Sequence, residues 1–112
     1  MTSIDGFMFA CLVDQATGMT FACAPGQGDI YAAAAAAGAA DIANALAMMS
    51  ARLATNETVD DVIVTFSECF HLIRPVSQDV TQRILLLVIL DRRRANLAMA
   101  RREVRAFCST LT

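Results

Sequence analysis

Apolar and polar residues alternate in blocks along this chain, and the blocks define seven elements. Residues 6–13 (GFMFACLV) form an apolar run with two aromatics, closed by Asp14 to Gly18. Such a run followed by a turn segment predicts a strand, with Gly18 supplying the positive φ of a tight turn. A second short apolar run, 19–24, predicts the other half of a hairpin. Pro25, Gly26, Gln27 and Gly28 break it, and Asp29 stands where a helix N-cap is expected. Residues 30–53 are dominated by alanine, the best helix former. A polar loop, 54–58, separates this helix from three further apolar runs at 59–66, 69–76 and 84–90.

These three runs predict strands of different character. In the first, Val62, Val64 and Phe66 lie on one face, and Asp61, Ile63 and Thr65 on the other. In the second, Pro75 belongs near the end, because proline cannot donate to a ladder. The third, ILLLVIL, is apolar at all seven positions. That pattern marks a strand buried on both faces and central in its sheet. A last amphipathic helix is predicted over 94–111, with Leu97, Ala100, Val104, Phe107 and Leu111 on one stripe. The order β-β-α-β-β-β-α, joined by short turns, predicts one α+β domain over 1–112. Its form is an α/β sandwich, a five-stranded antiparallel sheet with helices on its faces.

The helix over 30–53 is apolar on two sides. Tyr31, Ala35, Ile42, Leu46, Met49 and Leu53 recur at helical spacing and are expected to cover the sheet. Ala32, Ala36, Ala39, Ala40, Ala43 and Ala47 form a flat second face, expected to meet another helix. Composition sharpens this point. Apolar residues make up 56% of the 112-residue chain, above the ~45–50% of ordinary soluble domains, so a partner chain or a membrane must cover the excess. A membrane span is disfavoured. The best window, 30–49, carries Asp41 and Asn44, and a mid-span charge costs about 2.5–3.5 kcal/mol. No basic segment with a following apolar run opens the chain, so no secretory signal is expected. A cytoplasmic location follows.

Charge and residue inventory exclude several chemistries. All nine basic residues are arginine, against eleven acidic ones. Without lysine, neither a Walker-A phosphate loop nor Schiff-base catalysis is available. A net charge of −2 argues against nucleic-acid binding. Arg92, Arg93, Arg94, Arg101, Arg102 and Arg105 cluster near the C-terminus; they read as a solvated helix face or, functionally, as a contact patch for an acidic partner. Residues 25–28 read as a plain loop rather than an anion cradle. Cys11, Cys23, Cys69 and Cys108 form no CxxC pair and read as buried free thiols. His71 reads as a structural residue; Cys69 and His71 are expected on opposite strand faces, leaving no Cys–His dyad. No catalytic residue, metal or cofactor is expected.

Several stretches resemble the roadblock family of dynein-light-chain-like domains. The likeness covers roughly residues 4–111. Ile4-Asp5-Gly6, then Leu12-Val13-Asp14 and Gly18, resemble the family's opening hairpin. The alanine-rich segment resembles its central helix. Asp91, followed by Ala95-Asn96-Leu97-Ala98-Met99-Ala100-Arg101, resembles its strand-to-last-helix junction, with Ala98 where glycine is usual. One departure is clear: only five residues precede Gly6, so the family's N-terminal helix is reduced or absent. The resemblance implies a homodimer, with central helices side by side and third strands paired into a ten-stranded sheet. Ala32, Ala36, Ala39, Ala40, Ala43, Ala47, Val62 and Val64 are then the expected interface. It also implies a non-catalytic platform that binds and regulates a small Ras-like GTPase. The alternative is a ligand-sensing or structural dimer domain of the same fold, with a pocket on the sheet face that the missing helix leaves bare.

Overall fold

The seven-residue apolar run lies at the centre of the sheet, where its composition requires it to be. In a computed structural model describing residues 4–24, 30–54, 56–77 and 83–111, the elements are β1 (Phe7–Asp14), β2 (Thr20–Ala24), α1 (Ile30–Leu53), β3 (Val62–Thr65), β4 (Cys69–Ser77), β5 (Ile84–Asp91) and α2 (Leu97–Leu111). The strands form one sheet in the order β2-β1-β5-β4-β3, and every neighbouring pair is antiparallel. Residues 25–29, which include the expected loop and the Asp29 cap, lie outside the described residues.

Alternation along β5 assigns one helix to each face. Leu85, Leu87 and Ile89 join Cys11, Val13 and Ile73 on the α1 side. Leu86, Val88 and Leu90 join Ala10 and Leu72 on the other, under Ala100, Val104 and Cys108 of α2. Ile4, in the turn before β1, fills the α2-side core. Each fully buried Leu or Ile contributes about 1.5–3 kcal/mol relative to exposure, so β5 is the largest single source of stability. Pro75 sits where the β4–β5 register shifts, between Pro75 and Ser77.

The orientation of α1 differs from the sequence expectation. Ala32, Ala36, Ala39 and Ala40 are the buried residues of the helix, and the last three pack against the sheet. The alanine face therefore covers the sheet, Ala35 and Ile42 of the expected face pack against the same core as its margin, and Tyr31, Met49 and Leu53 are left exposed. The physical reason is close approach. Cβ methyls let the helix backbone settle on a sheet already filled with leucine and isoleucine. The β1–β2 turn also presses on the helix: Gly18 has φ +76°, and a Cβ there would lie 3.1 Å from Ala37 Cα. Gln15 Nε2 donates to Asn44 Oδ1 at 3.0 Å, fixing the end of β1 to the helix.

Three other boundaries depart from expectation. β3 covers only Val62–Thr65, so the segment 59–61 stays outside the ladder. α2 begins at Leu97 rather than near Arg94, because Asn96 is its cap: Met99 N–H donates to Asn96 Oδ1 at 3.2 Å. Asp91 organises the preceding turn, its backbone oxygen accepting from Ala95 N–H at 2.9 Å. Finally, Cys69 and His71 are two residues apart on β4, so they share a face rather than opposing each other. The Tyr31 hydroxyl lies 3.1 Å from His71 Nε2 and 4.0 Å from Cys69 Sγ. Phe66 tilts against the imidazole at 4.7 Å. His71 thus ties the first turn of α1 to the sheet.

Two outcomes test this arrangement. Ala36→Leu overfills a position with no exposed surface and should lower unfolding free energy by about 1–3 kcal/mol, read by urea titration at several protein concentrations. Normal stability with weaker self-association would instead put Ala36 on an exposed face. Burial lowers the His71 pKa from its ordinary 6.5. The unfolded chain then takes up a proton at a pH where the folded chain does not. Stability is complete above that value and falls as pH drops below it. Melting temperature should decline from about pH 7.5 to 5.5, and His71→Gln should flatten the decline. An equal slope in the variant would acquit His71.

Candidate interaction surface

Because α1 turns its alanines inward, its outer flank collects the larger apolar side chains. Tyr31, Ala35, Ile42, Met49 and Leu53 lie along one side of the helix by their spacing. Ala35 and Ile42 in its middle pack against the core, and the residues toward its two ends are exposed. Tyr31, Met49 and Leu53 are 57%, 48% and 59% exposed, and the neighbouring Met48 57%. Tyr31 reaches His71 on β4, and Leu46 shares a groove wall with Val59 and Val62. This flank and the β3 edge therefore lie on the same side of the molecule.

β3 is an edge strand, bonded to β4 alone among the described residues. Val62 and Val64 are half-buried on its α1 side. A groove of about 200 Å³ runs between β3 and the C-terminal half of α1, lined by Ala43, Leu46, Ala47, Val59, Val62 and Ile73 among others. Of the eight residues expected at an interface, then, Ala32, Ala36, Ala39 and Ala40 are consumed by the chain's own core. Ala43, Ala47 and Val62 line the groove beside the edge, and Val64 lies further along the same face of β3. Sequence reasoning missed the exposed Met48. Met49 and Leu53, expected on the sheet, are exposed instead, since two apolar faces give periodicity no polar side from which to set its phase. Tyr31 is more than half exposed, but its hydroxyl reaches the sheet at His71.

The six arginines do not act as one surface. Arg92 Nη1 donates to the Phe66 carbonyl at 3.0 Å, and its guanidinium lies over the Phe70 ring at 5.9 Å. Arg101 Nε donates to Asp61 Oδ2 at 2.9 Å, with Arg74 Nη1 3.8 Å from the same oxygen. Asp61 precedes β3 and Phe66 follows it, so two arginines brace the edge strand at both ends. Arg93, Arg94, Arg102 and Arg105 are exposed, and their side chains make no ion pair or hydrogen bond among the described residues. Of the six, these four are the ones left to meet a partner.

No cluster of three or more metal-ligating side chains occurs among the described residues. The segment Tyr31–Leu53 is long and apolar enough to cross a membrane by length and composition. Its alanine face is nevertheless packed on the sheet, and Asp41 lies in the same helix. The bare sheet face expected to hold a pocket is instead plugged by Ile4 and α2, and the apolar groove lies on the α1 side.

No protein-family model and no curated protein matches the chain. Solved structures do. The fold is similar to a Roadblock/LC7 domain from Streptomyces avermitilis, with a TM-score of 0.83 and 15% identity over 98% of this chain and 86% of that one. It is similar to MglB of Myxococcus xanthus, with a TM-score of 0.78 and 21% identity over 95% and 80% of the two chains. An MglB in a tetrameric arrangement aligns with a TM-score of 0.75 at 15% identity, over 96% of this chain and 76% of that one. Five antiparallel strands carrying one helix on each face, in this order and with this overlap, give the chain a roadblock-type fold.

Proposed function

We propose that this chain is a non-catalytic, homodimeric interaction module that binds and regulates a small Ras-like GTPase. The observation that carries the dimer is the pairing of an open edge strand, β3, with an exposed apolar flank of α1 on the same side. An exposed edge is an aggregation hazard, and a two-fold axis beside β3 covers it with an identical edge. The same axis buries Tyr31, Met48, Met49 and Leu53, and it accounts for the apolar excess of the composition. Ala43, Ala47, Val62 and Val64 then lie at or beside the interface. The GTPase reading rests on the sequence resemblance to the roadblock family together with the shared fold of the MglB structures. Arg93, Arg94, Arg102 and Arg105 are the proposed contacts with an acidic partner surface. With no lysine and no metal cluster among the described residues, nucleotide chemistry is left to the partner.

A second reading, a ligand-sensing domain of the same fold, follows from the groove beside β3, whose lining mixes apolar side chains with Gln15, Glu57 and Arg83. At about 200 Å³ it would hold only a small ligand. Thermal stabilisation by a metabolite, with no protein partner present, would favour it.

Met49→Glu places a charge in the exposed flank and should weaken the dimer by about 100-fold or more without altering the circular dichroism of the monomer. Light scattering that still gives a full dimer would remove α1 from the interface. The partner is tested with the small GTPase of the same cell, purified and loaded with a non-hydrolysable GTP analogue. Arg102→Glu combined with Arg105→Glu should weaken its binding about 10-fold or more while leaving the dimer intact. Equal binding by the charge-reversed chain would move the contact elsewhere. Absence of any complex or any change in GTP hydrolysis would overturn the GTPase reading itself.

A further inference from the structure

Away from the β3 edge, two thiols meet across the first hairpin. Cys11 on β1 and Cys23 on β2 are directly opposed in the ladder, and their Sγ atoms are 2.7 Å apart. Directly opposed antiparallel residues have Cα atoms about 4.5–5.5 Å apart, inside the ~4.4–6.8 Å window that a disulfide requires. Both side chains point to the α1 side, so neither has to rotate through the sheet. The other cysteines do not compete. Cys108 lies on the opposite face, and Cys69 is on β4, two strands from β1, roughly 10 Å away across the ladder. No disulfide joins them in this structure.

We propose that Cys11 and Cys23 are an oxidative modification site, closed to a disulfide by a hydroperoxide and reopened by a dithiol, that staples edge strand β2 to β1. The two thiols have distinct roles. Cys11 is 1% exposed, and its pKa is pushed up to about 12, by burial first and by the adjacent Cys23 thiol second. It stays protonated and is sheltered from solution. Cys23 is half-buried at the sheet edge and is the group that meets the oxidant. Its thiolate forms an S–O bond as the O–O bond of the hydroperoxide breaks, and the departing oxygen takes up a proton and leaves. Cys11 sulfur then attacks the Cys23 sulfenic sulfur: S–S forms, S–O breaks, and the second oxygen leaves as water with the Cys11 proton. The thiols lose two electrons and the peroxide gains two. A dithiol reverses the change by exchange, itself becoming the disulfide.

The site lies at the edge opposite β3, so closing it leaves the proposed dimer surface untouched. It acts on β2. Met19 and Phe21, 70% and 53% exposed, are held in place with the strand.

Proteolysis makes the test direct. Arg52 is the first basic residue, so trypsin releases residues 1–52 with Cys11 and Cys23 as their only cysteines. After hydrogen peroxide treatment of the folded chain, this fragment should lose about 2 Da and take up no iodoacetamide, and dithiothreitol should restore both thiols. The Cys108 fragment should remain alkylated. Melting temperature of the oxidised chain should rise by about 10 °C, and the rise should vanish in Cys23→Ser, a small change at a half-buried position, and in Cys11→Ala. Two alkylatable thiols after peroxide, a gain of oxygen mass in place of the loss, a cross-link to a second chain, or the same thermal shift in Cys23→Ser would each overturn the assignment.

Discussion

Two-sided burial of β5 is the constraint on which the rest of this molecule depends. A strand with six consecutive buried residues must have neighbours on both edges and a layer on both faces. β1 and β4 supply the edges, and α1 and α2 supply the layers. With one helix on each face among the described residues, neither face has cover to spare. α2 manages with Ala100, Val104 and Cys108 at the contact, helped by Ile4 from the turn before β1. α1 manages with alanine alone at its fully buried positions, a choice that works only if the helix sits very close to the sheet.

That closeness propagates outward. Small residues facing the sheet push the larger ones of α1 to the outer flank, so the demands of the core produce the apolar surface. The composition's excess of apolar residues is the same fact seen from the sequence. The inner side of the helix has no need of bulk, and the outer side carries more than a solvated helix would. β3, short and at the edge, lies next to that flank. Arg92 and Arg101 brace its two ends from within the chain. A four-residue strand gains little order from its own ladder, and these braces hold it in register while its outer edge stays open.

Much of this was legible in the residues. The all-apolar run at 84–90 identified the central strand, Gly18 the first hairpin, and the alanine density the long helix with its observed bounds. What escaped has specific physical causes. On α1 the alanine face, not the face with Met49 and Leu53, meets the sheet most closely; this escaped because alanine and methionine both count as apolar and only the space available at the sheet distinguishes them. The start of α2 was placed on the arginines, whereas the cap is Asn96, the kind of residue that ends a turn and opens a helix. The Cys69–His71 relation needed only the two-residue period of a strand. The thiol pair was hidden by reading cysteines for short spacing. Within the expected hairpin, its register alone sets Cys11 against Cys23.

The two edges of the sheet meet the same physical problem in different ways. At β2, the ladder to β1 is irregular between Leu12 and Val13, alanine occupies two of the five strand positions, and the hairpin turn is wedged against α1 at Ala37. An irregular strand with small side chains offers a poor template for another chain, and the facing thiols add a covalent means of fixing it. At β3, the strand is regular over its short length, β-branched at every position, and bordered by an apolar flank. One edge is thus irregular and built of small residues, and the other regular and bordered by apolar surface. This asymmetry, more than any single side chain, is why the proposed dimer is drawn at β3 and α1 and leaves the β2 edge outside it.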